Sequence, residues 1–434
     1  MKVLRILALA PSLALISLIV AGCASAPARP PAPISTGDPR VDPQPQLPGS
    51  ETADKDKDGK TKEELDKERE LAEGGLTPPH MLGRDITRAA VLLPFSHPNA
   101  RVREEAQGML AGAELALFDR ADGEFLLIPK DTAGTTSGAT AAYSDAIEDG
   151  ADVILGPLFA ENVRTLAGEA REAELPMIAF SNDPTAAGNG AYLASFTVEE
   201  EVARVVAFAL QNGIDTFAFL GPRSAYGQRV ERALRFEATR GGAFVIASAA
   251  YDPSNDAPVD EAEMLANSIA GFVEEQPGRL GVIVPETGDK LRSVAPLLAY
   301  YGVDFRGLTM LGTSQWNDPG IWREPTLNRA LFPVPPADAA GRFNANYTRL
   351  YGRAPTNLAG LGYDAATVAI ELTGDDQLDT SGLIRGEGFD GVTGLFRFRP
   401  DGTPERGLAV MQIKTGEGAV EVSPAPQSFF PSVG

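Results

Sequence analysis

The sequence contains few residues that could carry out covalent chemistry. It has 434 residues, with one cysteine, Cys23, and two histidines, His80 and His97. A single cysteine cannot form an internal disulfide, and a catalytic thiol needs a histidine base near it in the fold, whereas both histidines are distant from Cys23 in sequence. A Ser-His-Asp hydrolase would have to use His97, because His80 lies in a polar segment. The chain has no Gly-x-Ser-x-Gly elbow, Walker loop or His-Glu-x-x-His motif, so we expect no catalytic residue, no metal site and no cofactor.

The residues before Cys23 indicate that this cysteine is a site of lipid attachment. A positively charged start is followed by an apolar stretch, residues 6–20, and then by Ala21-Gly22-Cys23. Such a stretch has the length of a signal-peptide core and is short for a membrane span. The pattern resembles the bacterial lipobox, in which the cysteine is acylated and becomes the first mature residue, and it predicts a signal peptide at 1–22. Ala24 follows, which by the lipoprotein sorting rule favours the outer membrane, facing the periplasm; the alternative is an ordinary signal peptide with an incidental cysteine.

Composition separates a polar segment from a globular body. From residue 24 to about residue 85 the chain is rich in Pro, Ala, Asp, Lys and Glu and has few large apolar side chains, so it cannot offset the entropy lost on ordering. We expect residues 23–85 to be a lipid-anchored flexible tether. The whole chain has a formal net charge of −21, which disfavours binding to nucleic acid or to anionic membrane surfaces. Membrane contact is therefore expected through the lipid anchor alone.

From about residue 86, short apolar runs alternate with stretches that have apolar residues at helical spacing. The runs include FLLIPKD at 125–131, DVILG at 152–156 and LGVIVPE at 280–286, and helices are predicted at 102–118 and 199–210, among others. Near-continuous apolar strands that alternate with helices are typical of parallel sheets covered on both faces. The number of strands, about eight, exceeds one ordinary doubly wound sheet. The sequence therefore predicts an α/β fold with two Rossmann-like lobes.

Ligands of open α/β sheets lie beyond the carboxyl ends of the strands. In this chain those ends are loops rich in Gly, Pro, Ser, Asn and Asp, such as PFSHPNA, FSNDPT, GPRSAYG and GTSQWND. The same residues are good turn and helix N-cap residues, and both roles are compatible. Ser96 and His97 follow the first strand and are candidates for the mouth of a ligand cleft; a solvated loop is the alternative for His97.

Four long segments follow one another in a familiar order: VLLPFSHPNARVREEAQGMLAGAELALFD, DVILGPLFAENVRTLAGEAREAELPMIAFSND, SAYGQRVERALRFEATRGG and GVTGLFRFRPDGTPERGLAVMQI. Together they resemble type I periplasmic binding proteins of the leucine/isoleucine/valine-binding class. Within that class, LLPFS, GPLF and GTSQWND on a lipoprotein are most similar to the outer-membrane lipoprotein activators of bifunctional penicillin-binding proteins. The resemblance implies that residues 86–423 form two lobes joined by three crossovers around a cleft. The expected ranges are about 86–211 with 332–385 for lobe 1, about 212–331 with 386–423 for lobe 2, and 424–434 for a tail.

The resemblance also implies a set of ligand contacts, of which this chain keeps only part. Amino-acid receptors of the class need a cradle for the α-carboxylate and a counter-charge for the α-ammonium, because a buried ammonium without a carboxylate partner is costly. The family's first-lobe serine falls near Ala160, which has no hydroxyl. Its second-lobe acidic residue falls near Ser314, although Asp183 could supply the missing charge. The remaining candidates for the cleft are Ser181, Asn182 and Tyr226.

Two main functions remain open from the sequence. The first is a non-catalytic, lipid-anchored activator of a bifunctional (class A) penicillin-binding protein in peptidoglycan synthesis, because a tether would let the body reach through the cell wall. The alternative is a solute-binding receptor of an ABC importer for amino acids or amides, with a small molecule in the cleft; a hydrolase is the least favoured. For an activator, large aromatic side chains in a Pro/Gly-rich loop are candidate partner contacts. These are Trp316 and Trp322 in GTSQWNDPGIW.

Overall fold

The structure is a computed structural model, and it describes residues 76–121 and 123–429. All of these residues belong to one structural unit. The predicted signal peptide, Cys23 and most of the predicted tether lie outside the described residues.

Strands and helices alternate along the described chain, as the apolar runs predict. The strands are β1 (Thr87–Leu93), β2 (Phe125–Asp131), β3 (Val153–Leu155), β4 (Met177–Ala179), β5 (Ala191–Leu193), β6 (Thr216–Pro222), β7 (Phe244–Tyr251), β8 (Leu280–Ile283), β9 (Leu308–Leu311), β10 (Leu331–Val334), β11 (Phe389–Gly391), β12 (Gly394–Phe398), β13 (Pro404–Arg406), β14 (Ala409–Lys414) and β15 (Gly418–Ser423). The α-helices are α1 (Ala100–Arg120), α2 (Thr136–Glu148), α3 (Ala160–Glu172), α4 (Val198–Gln211), α5 (Ala225–Arg240), α6 (Val259–Glu275), α7 (Gly288–Tyr300), α8 (Ala337–Tyr351), α9 (Ala359–Gly374) and α10 (Thr380–Leu383).

Five parallel strands form the sheet of the first lobe, in the order β2-β1-β3-β4-β5. Successive residues of β1 point to opposite faces of this sheet. Val91 and Leu93 lie in one buried cluster with residues of α1 and α9, whereas Ala90 and Leu92 lie in another with residues of α2 and α3. The sheet is therefore covered on both faces, which explains why its strands are apolar at nearly every position.

The second lobe has a seven-stranded sheet in the order β15-β14-β10-β9-β8-β6-β7. Strands β6 to β10 run parallel to their neighbours among themselves, while β14 pairs antiparallel with β10 and β15 pairs antiparallel with β14. Helices α4 and α5 cover one face, and α6 and α7 cover the other. The described residues thus show the predicted α/β architecture of two lobes with mainly parallel sheets.

A small antiparallel sheet of β11, β12 and β13 completes the first lobe. Its side chains Phe389, Phe396 and Phe398 are buried in the same core cluster as α1 and α9. Residues 386–406 were expected in the second lobe, and this assignment is wrong, because their aromatic side chains fill the first-lobe core instead.

Helix α4 was expected in the first lobe but belongs to the second. Its residues Val202 and Val205 are buried together with Phe217 and Phe219 of β6, in the second lobe. The predicted boundary at residue 211 is therefore too late, and the first segment of lobe 1 ends before α4. The chain passes between the lobes three times, at residues 194–197, 335–336 and 407–408, which confirms the predicted three crossovers.

A buried arginine ties two of these crossovers together. Arg406 is 5% exposed, and its Nε and Nη2 donate to the carbonyl oxygens of Ser195 and Ala194 at 3.1 and 2.8 Å. Its Nη1 donates to Thr393 Oγ1 at 2.7 Å, and the backbone N–H of Thr393 donates to the fully buried carboxylate of Asp364 at 3.2 Å. Because an unsatisfied buried charge is very costly, these partners restrict the geometry of the crossovers.

Two glycines allow α1 and α9 to pack backbone against backbone. A Cβ at Gly112 would lie 2.0 Å from the carbonyl oxygen of Ala359, and a Cβ at Gly362 would lie 2.0 Å from that of Met109. Neither distance leaves room for a side chain. The contact holds α1, which follows the loop of Ser96 and His97, firmly on the first-lobe core.

Residues 76–85 are attached to the first lobe, which corrects the predicted end of the tether. The N–H of Leu76 donates to the carbonyl oxygen of Asp149 at 2.8 Å, and Met81 is buried. At the other end, the guanidinium of Arg397 lies 4.6 Å from the ring centre of Phe429, so the start of the predicted tail also contacts the body. Among the described residues, no helix is both long and apolar enough to cross a membrane.

Candidate functional site

The loop after β1 places Ser96 and His97 beside other loops of the first lobe. The N–H of Ser96 donates to Asp131 Oδ1 at 3.2 Å. His97 Nδ1 accepts from the N–H of Asn99 at 3.1 Å, and its ring lies 5.5 Å from that of Phe159. When the imidazole is neutral its proton is therefore on Nε2, which makes His97 a hydrogen-bond donor at this wall.

The loop after β4 carries three of the predicted cleft residues. Ser181 is buried, and its Oγ accepts from the N–H of Asp183 at 3.1 Å. Asp183 Oδ2 binds Arg164 at 2.6 Å, and its Oδ1 accepts from the N–H of Thr185 at 3.0 Å. Burial raises the pKa of Asp183, but the hydrogen bonds from Thr185 and the charge of Arg164 outweigh it, so this pKa is lowered. Asp183 is thus an ionised group paired within its own lobe, which argues against the expectation that it supplies the missing counter-charge.

An arginine of the second lobe reaches this loop. Arg229, one turn after Tyr226 on α5, binds Glu199 through two hydrogen bonds of 2.9 and 2.7 Å. Its Nη2 also donates to the carbonyl oxygen of Asn182 at 2.8 Å. The structure therefore brings the predicted Asn182 loop and the predicted Tyr226 helix together, one from each lobe.

Tyr226 and Ser314 lie on the second-lobe wall and are held by buried partners. The Tyr226 hydroxyl donates to Thr313 Oγ1 at 2.9 Å, and burial raises the pKa of Tyr226 to about 12, so the phenol is neutral at physiological pH. The N–H and the hydroxyl of Ser314 donate to the two oxygens of Glu201 at 2.9 and 2.7 Å.

Glu201 is a site residue that the sequence analysis missed. It lies in the first turn of α4 and is only 9% exposed, and burial raises the pKa of its carboxyl group. Its carboxylate occupies the neighbourhood of Ser314, where the family resemblance requires an acidic residue. The only signal in the sequence was TVEEE, which places three glutamates in the first turn of the helix. Acidic residues are common there because they are favourable at a helix N-terminus.

The GTSQWNDPGIW loop is folded into the second-lobe core, and this corrects one predicted partner contact. Trp316 has no exposed surface, and its Nε1–H donates to the carbonyl oxygen of Glu286 at 2.8 Å. Trp322 is half-buried and donates to the carbonyl oxygen of Trp316 at 2.8 Å. The prediction of Trp316 as an exposed contact is wrong, because the 3₁₀ turn of Ser314–Trp316 directs its indole into the core.

The two walls differ in chemistry. The first-lobe wall offers hydroxyl and imidazole donors and the N-terminus of α3, whose N-cap residue Phe159 provides no side-chain cap. The second-lobe wall offers carboxylates: Glu201, and Glu286, whose Oε1 accepts from the Tyr251 hydroxyl at 2.6 Å. Helix N-termini favour anions, whereas carboxylates favour cations. The two facing walls therefore suit a solute that carries a negative charge at one end and a positive charge at the other. Among the described residues, no group of three acidic, histidine or cysteine side chains is arranged to hold a metal ion.

Two α/β lobes, three crossovers and polar strand-end loops at their junction define a two-lobed binding protein. The chain belongs to the periplasmic binding protein family, whose model matches residues 87–418. This confirms the family and the fold expected from the sequence, and it implies a location in the cell envelope.

Three solved structures show the same fold. An ABC-type branched-chain amino acid transporter from Rhodopseudomonas palustris has a TM-score of 0.61 and 16% identity, over 78% of this chain and 95% of that chain. An ABC transporter substrate-binding protein from Desulfitobacterium hafniense, in complex with Leu, has a TM-score of 0.55 and 17% identity, over 77% and 99%. A solute-binding protein of an ABC transporter from R. palustris BisB5, in complex with 3,4-dihydroxybenzoic acid, has a TM-score of 0.51 and 17% identity, over 79% and 99%. A search of curated protein sequences finds no match.

Proposed function

We propose that this protein is the solute-binding receptor of an ABC importer and that its interlobe cleft takes a small dipolar solute, an amino acid or an amide. The observation that carries this proposal is the Glu201 carboxylate beside Ser314. It provides the negative charge that an ammonium group needs, in place of the acidic residue missing from the family's usual position. Each carboxylate oxygen keeps a second lone pair after its bond to Ser314, and 9% of Glu201 remains exposed.

The first-lobe wall supports the same proposal. Ser181 Oγ accepts from the Asp183 N–H, which leaves its proton free to donate to a carboxylate or a carbonyl group. The loss of the family's serine at Ala160 removes one hydroxyl from this cradle. The uncapped start of α3 keeps the backbone donors that attract an anionic end.

Activation of a class A penicillin-binding protein, the function favoured by the sequence, is the weaker candidate. One of its two candidate partner contacts, Trp316, is buried. The similar structures reported above are transport proteins. A lipid anchor on Cys23 and an outer-membrane location are compatible with either function, and we retain them as part of the proposal.

The receptor function is tested by thermal denaturation and calorimetry of the purified chain with a panel of amino acids and their amides. A solute at 100 times its Kd adds about 2.7 kcal/mol to the free energy of unfolding, which raises the melting temperature by several degrees. We expect at least one solute with an ammonium group to give this shift. Glu201→Gln removes the charge but keeps the side-chain length, and it should weaken binding about tenfold or more, or 1.4 kcal/mol.

Glu172→Gln is the matched control, because Glu172 is on α3 and its side chain is 77% exposed; this variant should bind like the wild type. If no member of the panel shifts the melting temperature while the chain binds a class A penicillin-binding protein at low salt, the receptor proposal fails and the activator function replaces it.

A further inference from the structure

A second pocket opens at the seam between the lobes, next to the Asn182 loop and the Arg229–Glu199 pair described above. It has a volume of about 540 Å³, within the range of small-molecule sites. One wall is formed by α4 and α5 of the second lobe. The other is formed by Pro184 and by the β12–β13 turn, residues 399–404, of the first lobe. We call it the seam pocket.

Most of the charges around the seam pocket are already paired. Arg229 binds Glu199 at 2.7 Å, Arg399 binds Glu200 at 2.9 Å, and Arg240 binds Glu237 at 2.5 Å. Because these six side chains neutralise one another in pairs, they offer little free charge to a ligand.

Two charged groups of the seam pocket remain outside these pairs. Asp401 Oδ1 accepts from the N–H and the hydroxyl of Thr403 at 2.9 and 2.6 Å, so this carboxylate is used to form the turn. Arg232, on α5, makes no hydrogen bond or ion pair within the described part of the chain, and its guanidinium has all of its donors free. Arg232 is therefore the group best able to bind a ligand.

A large aromatic ring lies one turn from Arg232. Phe236 lines the same pocket and is 66% exposed, which is unusual for a phenylalanine on a helix that buries its other face. Ala203, Ala233 and Pro404 extend the apolar lining. A free guanidinium at i and an exposed ring at i+4 lie on one face of the helix, so both can contact one small molecule.

We propose that the seam pocket is a second ligand site, which binds an amphiphilic anion. Its aromatic or short apolar body packs on Phe236, and its carboxylate, sulfonate or phosphate group binds the Arg232 guanidinium. The residues proposed to contact this ligand, Arg232 and Phe236, differ from those proposed to contact the solute in the cleft, although Arg229 and Glu199 border both regions.

The experiment uses 1-anilinonaphthalene-8-sulfonate, a fluorescent aromatic sulfonate, with the purified chain. We expect saturable binding with one dominant site. Arg232→Gln and Phe236→Ser should each raise the Kd at least fivefold. Both side chains are exposed, so the melting temperature of each variant should stay within 2 °C of that of the wild type.

Two controls separate this site from general adsorption. Arg235→Gln makes the same change on the same helix, at a residue that pairs with Glu231 and does not line the seam pocket. Phe118→Ser removes another exposed ring, 75% exposed, on α1. Neither should change the Kd of the dye.

The neutral dye N-phenyl-1-naphthylamine tests the need for an anion. It should bind more weakly than the sulfonate and should not respond to Arg232→Gln. The proposal is overturned if the neutral dye binds as tightly as the sulfonate, or if Phe118→Ser abolishes binding while Arg232→Gln and Phe236→Ser leave it unchanged.

Discussion

Trp316 illustrates how a residue in a Pro/Gly-rich loop can still be a core residue. Its side chain is fully buried among apolar residues of the second lobe, and its N–H is satisfied by the Glu286 carbonyl oxygen. We expect Trp316→Ala to lower the free energy of unfolding by about 3–5 kcal/mol, because it leaves a large cavity and an unpaired carbonyl. Urea denaturation measures this loss. Phe118→Ala, at an exposed ring, should change it by less than about 0.5 kcal/mol; equal effects of the two variants would contradict the burial of Trp316.

Asp364 is the residue from which we expect the clearest pH dependence. It is fully buried, and burial raises its pKa to about 6, although the charge of Arg406 and the hydrogen bonds from Thr393 oppose this. The usual pKa of an aspartate in an unfolded chain is about 3.9. Because the native pKa is the higher of the two, the stabilising contribution of Asp364 is fully present below about pH 4 and is lost as the pH rises through 6.

The variant Asp364→Asn does not titrate and should lack this loss. The wild type should therefore lose about 2 kcal/mol of unfolding free energy relative to the variant between pH 4 and pH 7. Urea denaturation at one-unit steps of pH measures it. Parallel stability curves for the two proteins would show that Asp364 does not titrate in this range.

The sequence indicates the site residues that follow strands, but it does not indicate those whose position depends on tertiary packing. Tyr226 and Asn182 could be placed because each follows a recognisable strand, and strand ends converge at the lobe junction. Glu201 could not, because it lies on a helix, and its distance from Ser314 depends on how that helix packs on the second sheet. A contact between a helix residue and a loop more than a hundred residues later produces no recognisable pattern in the sequence.

At the scale of elements, the contact between α1 and α9 sets the strictest steric limit. Gly112→Ala would place a methyl group 2.0 Å from the Ala359 carbonyl oxygen, so the helices must separate. We expect a loss of several kcal/mol in the free energy of unfolding, measured by urea denaturation. Gly271→Ala, in α6, meets no neighbouring atom and should instead stabilise by about 0.5–1 kcal/mol through helix propensity. Similar effects of the two substitutions would contradict the close packing.

The sequence predicts well where strands and helices begin and end, but it does not predict which sheet each helix packs against. The run FLLIPKD is observed as β2 with the predicted ends, because polar or glycine-containing turns stop the apolar run on both sides. Helix α4 was predicted nearly at its observed bounds and yet assigned to the wrong lobe. Its buried face of Val and Ala fits either sheet, so only the tertiary structure decides between them.

At the scale of the whole molecule, we expect the body to be attached to a membrane by its N-terminus. Cys23→Ser removes the acylated thiol that the lipobox pattern predicts, and a chain with a net charge of −21 has little attraction for an anionic bilayer. The variant should therefore leave the membrane fraction and appear in the soluble periplasmic fraction on sucrose-gradient fractionation. Ala24→Asp serves as the control, since it keeps the anchor and should change only the membrane to which it is sorted. A Cys23→Ser protein that stays fully membrane-bound would contradict the anchor.

The three crossovers also determine when the protein is able to fold. The first lobe needs β11 to β13, and the second needs β14 and β15, so both cores remain open until almost the last residue has been synthesised. At 5–20 residues per second, translation of the chain takes on the order of 20–90 s. Throughout that time the nascent polypeptide lacks the segments that would close either core. We therefore expect neither lobe to complete its core before these C-terminal strands have been synthesised.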